Sequence, residues 1–265
     1  MTLGLTSPVW RFIDTGELSG QENMAIDEAL LACFDPETSA PVLRFYGWSP
    51  PTISLGRFQK AEELLNLQKC ENNNLKFVSR MTGGGIIYHA DELTYSITCS
   101  TKHIPKGTGV KESFRILTSF LLNFYRGLGL KPEYSIDCLS PYSHQRAAFC
   151  FAGRESYDIL INRKKIGGNA QKRLKNVIFQ HGSIPLIQRV DIGSSYLLQE
   201  CPEVINETTS IQEQGVPIDK VLLKQALKES FKFTFNLSLI DDALTDKEIE
   251  TAEKNRISGK RNGKR

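Results

Sequence analysis

Two adjacent glycines, Gly167 and Gly168, stand inside otherwise strand-forming sequence and constrain the fold more than any other feature. A glycine pair packs nothing in a sheet, so it marks a place where backbone or a ligand comes close. Ahead of it, residues 157–161 alternate, with Tyr157, Ile159 and Ile161 on one side and Asp158 and Leu160 on the other, which predicts a strand. Asn162-Arg163-Lys164 supplies a polar turn, and the chain returns through Lys165, Ile166, the glycines, Asn169 and Ala170. Residues 177–183 form a further extended run, and upstream Cys150 lies between Phe149 and Phe151. A thiol, a lysine and bare strand backbone within about fifteen residues are the parts of an acyl-transfer site. Taken alone, Cys150 reads more readily as a small core hydrophobe. Lys165 alone reads as a solvated hairpin-tip charge beside Arg163 and Lys164.

The remaining pattern alternates short strands with separate helices. Ser19 and Glu22 make a capping box that opens a helix over 21–33. Strands are predicted at 42–46, 52–55, 77–80, 86–89, 93–99 and 132–136, with 93–99 partnering 86–89 across a turn at Ala90-Asp91. Helices are predicted at 61–70, 110–128 and 219–231, and Thr245 and Glu248 form a second capping box for the last one. Between two strands lies Met81-Thr82-Gly83-Gly84-Gly85, which lacks the GK[ST] of a phosphate loop and the last glycine of GxGxxG. It is either a tight hairpin or a bend that touches something without a Cβ in the way. The fold class is α+β, a mixed sheet flanked by helices.

Length and composition limit the setting. At 265 residues with 14 Phe and 8 Tyr, one large domain over 1–253 can bury a sizeable core. The six cysteines form no CxxC pair and have no histidine at zinc-ligand spacing, which predicts free thiols, a reducing cytoplasmic setting and no metal. Neither a signal sequence nor a membrane span is evident. Six of the 33 basic residues fall within 254–265, leaving 27 against 30 acidic ones in the body. The body is mildly acidic, and the basic end is expected to be a disordered tail.

Several motifs together resemble one superfamily. Trp10-Arg-Phe-Ile-Asp14, Asn23-Met-Ala-Ile-Asp-Glu-Ala-Leu-Leu31 and Leu43-Arg-Phe-Tyr-Gly-Trp-Ser-Pro-Pro51 resemble the N-terminal half of the lipoate–protein ligases and octanoyltransferases. Arg80-Met-Thr-Gly-Gly-Gly-Ile-Ile-Tyr-His89 is similar to their glycine loop, and Lys165-Ile-Gly-Gly-Asn-Ala-Gln171 to their lysine hairpin. Gln180-His-Gly-Ser183 is similar to their closing strand, and Glu92-Leu-Thr-Tyr-Ser96 to the LipM-type octanoyltransferases. The resemblance spans nearly the whole chain. It implies a biotin/lipoate-ligase-like catalytic domain, related to class II synthetases, with an acyl chain held between glycine loop and lysine hairpin.

Within that resemblance Cys150 occupies the loop position of the cysteine nucleophile in the LipM-type enzymes. The implied catalytic residues are Cys150 and Lys165. The implied substrate-binding residues are Arg80, Thr82, Gly83, Gly84, Gly85 and His89 from the first half. From the second half they are Gly167, Gly168, Ala170, His181 and Gly182. The two histidines themselves read as buried, hydrogen-bonded structure before they read as acid–base groups. The implied reaction takes octanoyl from acyl carrier protein to the acceptor lysine of a lipoyl domain, such as the glycine cleavage H protein, with no cofactor. Arg163, Lys164, Lys172, Arg173 and Lys175 are candidates for docking these acidic partners. Two features also suit other chemistry: Gly85 stands where the transferases carry arginine, and Ser79 where a second arginine precedes Arg80. An ATP- and magnesium-dependent lipoate ligase, or a lipoyl-relaying amidotransferase, therefore remains an alternative. A non-catalytic nucleic-acid adaptor is the alternative of another class, and the acidic body argues against nucleic acid.

Overall fold

A computed structural model describes residues 8–105, 107–138, 156–199 and 203–262. Cys150, Cys201 and the polar loop 140–146 lie outside the described residues. The chain opens with β1 (Val9–Leu18), α1 (Gly20–Cys33), β2 (Val42–Trp48) and β3 (Thr52–Leu55). Next come α2 (Ala61–Leu64), α3 (Leu67–Asn72), β4 (Lys76–Ser79), β5 (Ile87–His89) and β6 (Glu92–Ser100). The long α4 (Val110–Gly127) and β7 (Pro132–Tyr134) follow. The second half holds β8 (Ile159–Ile161), β9 (Lys164–Ile166), β10 (Gly168–Leu174) and β11 (Val177–Pro185). It closes with α5 (Val190–Ser194), α6 (Glu203–Glu207), β12 (Thr208–Thr209), α7 (Lys220–Phe235), β13 (Ser238–Asp241) and α8 (Asp246–Asn262).

The main sheet is mixed, in the order β10-β11-β6-β2-β1-β13. β1 runs parallel to β2 and β13, and the other pairs are antiparallel. All seven residues of β2 are buried, as a strand covered on both faces requires. Trp10, Phe12, Leu43 and Phe45 enter one core with Phe120 of α4 and Phe231 and Phe235 of α7. Ile13 and Val42 enter another, with Ile26 and Leu30 of α1 and Ala252 of α8 against them. The period-2 alternation of β1 and β2 thus feeds both helical layers. Edge-to-face contacts at 5.0 Å (Phe120–Phe231) and 4.9 Å (Phe231–Phe235) lock the α4–α7 layer.

Both capping boxes form: Ser19 with Glu22 starts α1, and Thr245 with Glu248 starts α8. Elsewhere the structure departs from expectation. The helix expected over 61–70 breaks into α2 and α3, because Leu65 is buried and bridges to Leu197 while Asn66 caps a fresh start by accepting from the Lys69 N–H. β5 does not pair with β6. It pairs with β3, as does β4, giving a separate sheet ordered β4-β3-β5. The glycine segment between β4 and β5 is therefore no hairpin, since its flanking strands lie on opposite sides of β3. The basic end, expected to be a disordered tail from Lys254, continues as α8 to Asn262.

The largest correction concerns the glycine pair. β9 and β10 are not one strand. β9 belongs to a four-stranded sheet, β12-β9-β8-β7, and β10 to the edge of the main sheet. The chain changes sheets at Gly167, whose φ is +78°. A Cβ there would lie 2.1 Å from the Ser183 carbonyl oxygen. Only glycine fits. Gly167→Ala is expected to destabilise the protein by about 2 kcal/mol or more, from left-handed backbone strain and displacement of β11. An unchanged urea midpoint would refute this.

Candidate functional site

A narrow slot, with about 350 Å³ of empty space when the open solvent at its mouth is included, lies between the main sheet and the small β4-β3-β5 sheet. Tyr46 and Trp48 of β2 and Thr94 of β6 form its base. Arg80, Ile87 and His89 line the small-sheet side, and Gly168–Ala170 with His181–Ser183 line the side of β10 and β11. By residue type this lining is polar. By bonding it is not, because those polar groups whose partners are resolved are committed to other protein atoms.

Glu92 organises the first group. Its carboxylate accepts from Thr94 (2.6 Å), Ser183 (2.6 Å) and His89 Nδ1 (2.8 Å). Thr94 in turn accepts from the Trp48 indole at 2.8 Å. A carboxylate only accepts, so His89 Nδ1 carries a proton towards it, and Nε2 meets Ser54 Oγ at 2.6 Å. The imidazole lies flat on Trp48, with centroids 3.8 Å apart. Arg80 donates to both oxygens of Ser54 and to the Gly83 and Gly85 carbonyls, so it holds the glycine segment from beneath.

Asp27 of α1 organises the second group. It accepts from Arg44 (2.8 Å), Ser96 (2.8 Å) and Tyr46 (2.9 Å), and His181 Nδ1 lies 3.8 Å from it. Burial pushes the Asp27 carboxyl up, but the Arg44 guanidinium, the nearby His181 ring and the bond from Ser96 outweigh this and hold it below the usual range. Burial pushes the His181 imidazole down, against the pull of Asp27, so it is neutral at pH 7. His181 Nε2 meets Thr82 Oγ1 at 2.7 Å. Asn169 is likewise engaged, accepting from Tyr95 at 2.7 Å.

Lys165 is no hairpin-tip residue. The tip is Asn162-Arg163, both at positive φ, and Lys165 lies buried on β9 with its ammonium 2.8 Å from Asp158. Three residues on, the chain enters the slot at Gly168. Of the residues expected to bind substrate, Arg80, His89, Gly168, Ala170, His181 and Gly182 line the slot together. Gly83, Gly84, Gly85 and Gly167 do not. Gly83 and Gly85 receive Arg80, Gly84 packs its carbonyl onto Gly56, and Gly167 is the sheet switch. Thr82 sits behind the lining, on His181. The five basic residues expected to dock partners divide between two hairpin tips on two sheets: Arg163 and Lys164 at β8–β9, and Lys172, Arg173 and Lys175 towards β10–β11. By strand rise the second tip lies about 20 Å beyond the slot. Asp27, Asp158, Trp48 and Asn169 are site residues that sequence reasoning did not single out.

Residues 19–232 match the family model of the lipoyl protein ligase A/B catalytic domain. Octanoyltransferase LipM of Halalkalibacterium halodurans is 35% identical, over 95% of this chain and 95% of that protein. Octanoyltransferase LipM of Brevibacillus brevis is 35% identical, over 92% and 93% respectively. Among solved structures, lipoate-protein ligase A bound with ATP superposes with a TM-score of 0.79 at 24% identity, over 94% of each chain, a likeness of fold.

Proposed function

The chain belongs to the lipoyl protein ligase A/B catalytic domain family, and on that premise we propose that it is an octanoyltransferase that modifies the lysine of a lipoyl domain. The observation that carries this reading is the slot. Tyr46, Trp48, His89, Thr94, His181 and Ser183 of its lining bond back into the protein, so the bore suits an aliphatic chain, and Lys165 with Asp158 lies just before the strand that lines it. The two relatives named above carry the same activity in their names.

The donor in this reading is octanoyl-acyl carrier protein. The Cys150 thiolate attacks the carrier thioester carbonyl; the new C–S bond forms as the bond to the carrier sulfur breaks, and the carrier leaves as a thiolate that takes up the proton the Cys150 thiol gave up. The acceptor amine then attacks the acyl-enzyme, the N–C bond forms, and the departing Cys150 sulfur takes up the amine proton. Lys165 supplies positive charge near the carbonyl oxygen as it becomes an oxyanion. Each step exchanges one acyl bond for another, so the sequence draws on no ATP, metal or other cofactor, and a reducing cytoplasm keeps the nucleophile free.

The test is direct. Incubated with octanoyl-carrier protein and a lipoyl domain, without ATP, the protein is expected to octanoylate one lysine of the domain, read by intact mass. Modification that appears only with free octanoate or lipoate, ATP and magnesium would replace this reading with a ligase.

A further inference from the structure

The glycine segment is anchored on one side by main-chain contacts. Arg80 N donates to Leu55 O and Arg57 N to Thr82 O, each at 2.8 Å, while the Gly84 carbonyl rests on Gly56. All three contacts face the β3 side. The Thr82 side chain reaches the other way, to His181 on β11, a residue 99 positions along the chain. From the opposed geometry of Thr82 and Asp27 about this imidazole, we infer that His181 is a positioning residue. With Nδ1 turned to the Asp27 carboxylate 3.8 Å away, it latches the glycine segment to β11 beside the acyl slot by accepting the Thr82 hydroxyl proton at Nε2.

The directions follow from what each group can do. The Asp27 carboxylate accepts from Arg44, Ser96 and Tyr46 and cannot donate, and its negative charge 3.8 Å away favours the proton on the ring nitrogen that faces it. In a neutral imidazole the other nitrogen then only accepts. Thr82 must therefore be the donor, and a side chain of the same shape without a hydroxyl cannot replace it. The chain of contacts runs from α1 through β11 to the glycine segment, so it ties that segment, with Arg80 of the slot wall, to a buried base.

Two measurements test the latch on the full chain. Long-range proton–nitrogen correlation on histidine-labelled protein, with His181 assigned by its loss in His181→Gln, is expected to show the Nδ1–H tautomer. An Nε2–H tautomer overturns the inference. This reading uses the unsubstituted protein, because Asp27→Asn leaves Arg44 buried against a neutral partner and can fail to fold. Thr82→Val is expected to raise KM for octanoyl-carrier protein about tenfold, the loss of one net hydrogen bond, with kcat within about twofold. Thr82→Ser is expected to recover most of that loss. Equal KM in Thr82→Val and the parent, or a Thr82→Ser variant as impaired as Thr82→Val, overturns it. The kinetic measurement rests on the octanoyl-transfer reading and the tautomer does not, so an inactive parent protein would refute that reading and leave the tautomer to decide the latch.

Discussion

Cys150→Ala is expected to lower octanoyl transfer by at least about a thousandfold, because removing a covalent nucleophile leaves only binding and oxyanion stabilisation. The parent protein, incubated with octanoyl-carrier protein alone, is expected to gain one hydroxylamine-labile octanoyl group, mapping to Cys150. The other thiols explain why the adduct should be so selective. Cys99 is fully buried and burial pushes its thiol up to about 12, and burial also raises Cys70. Neither offers appreciable thiolate at pH 7. Cys33 is spent on Thr251 and the Lys247 carbonyl, and Cys138 on the Tyr134 carbonyl. Cys201, like Cys150, lies outside the described residues, so the peptide map must separate these two. An adduct on Cys201, or full transfer by Cys150→Ala, would sink the assignment.

Signals that act within a few residues were legible in the sequence. The capping boxes at Ser19 and Thr245 fixed two helix starts, because the side chain and the N–H it satisfies are three residues apart. Sheet membership was not legible, since it depends on partners far along the chain. The alternation over 157–161 suggested one buried face, yet Ile159, Leu160 and Ile161 are all buried because β8 is covered on both faces. The turn after it carried a subtler error. Reading Asn162-Arg163-Lys164 as a three-residue turn sets Lys165 opposite Ile161, on the face away from Asp158. The actual turn has two residues, both at positive φ, and pairs Leu160 with Lys165. One residue of register moves every side chain to the other face, and so brings Lys165 onto the face of Asp158. Asparagine at the first turn position was the available sign.

The slot shows a second limit. A list containing Arg80, His89, Glu92, His181 and Asp27 suggests a pocket for a charged ligand. Hydrogen bonding reverses that conclusion, because Glu92 draws three donors and Asp27 three more away from the bore. Side-chain direction decides whether such groups bind a ligand or support the wall behind it.

Lys165 and Asp158 give the second large effect. Lys165→Met is expected to reduce kcat about a hundredfold to a thousandfold, the usual cost of losing a charge aimed at a developing oxyanion. Lys165→Arg is expected to recover little, since a planar guanidinium does not replace a compact ammonium in a buried pair. Asp158→Asn tests the pair from its other end. Without the carboxylate, burial disfavours the ammonium and lowers the Lys165 pKa. Activity that needs the protonated lysine is present below that pKa and lost above it, so the alkaline limb of the pH–rate profile is expected to move to lower pH. Stability should follow the same logic. Each single substitution breaks this buried pair and is expected to cost about 3–5 kcal/mol, while Lys165→Met with Asp158→Asn together removes both charges and costs less than their sum. Urea unfolding of the four proteins measures the coupling. Additive losses, or an alkaline limb unmoved by Asp158→Asn, would mean that the 2.8 Å contact does not set the charge on Lys165.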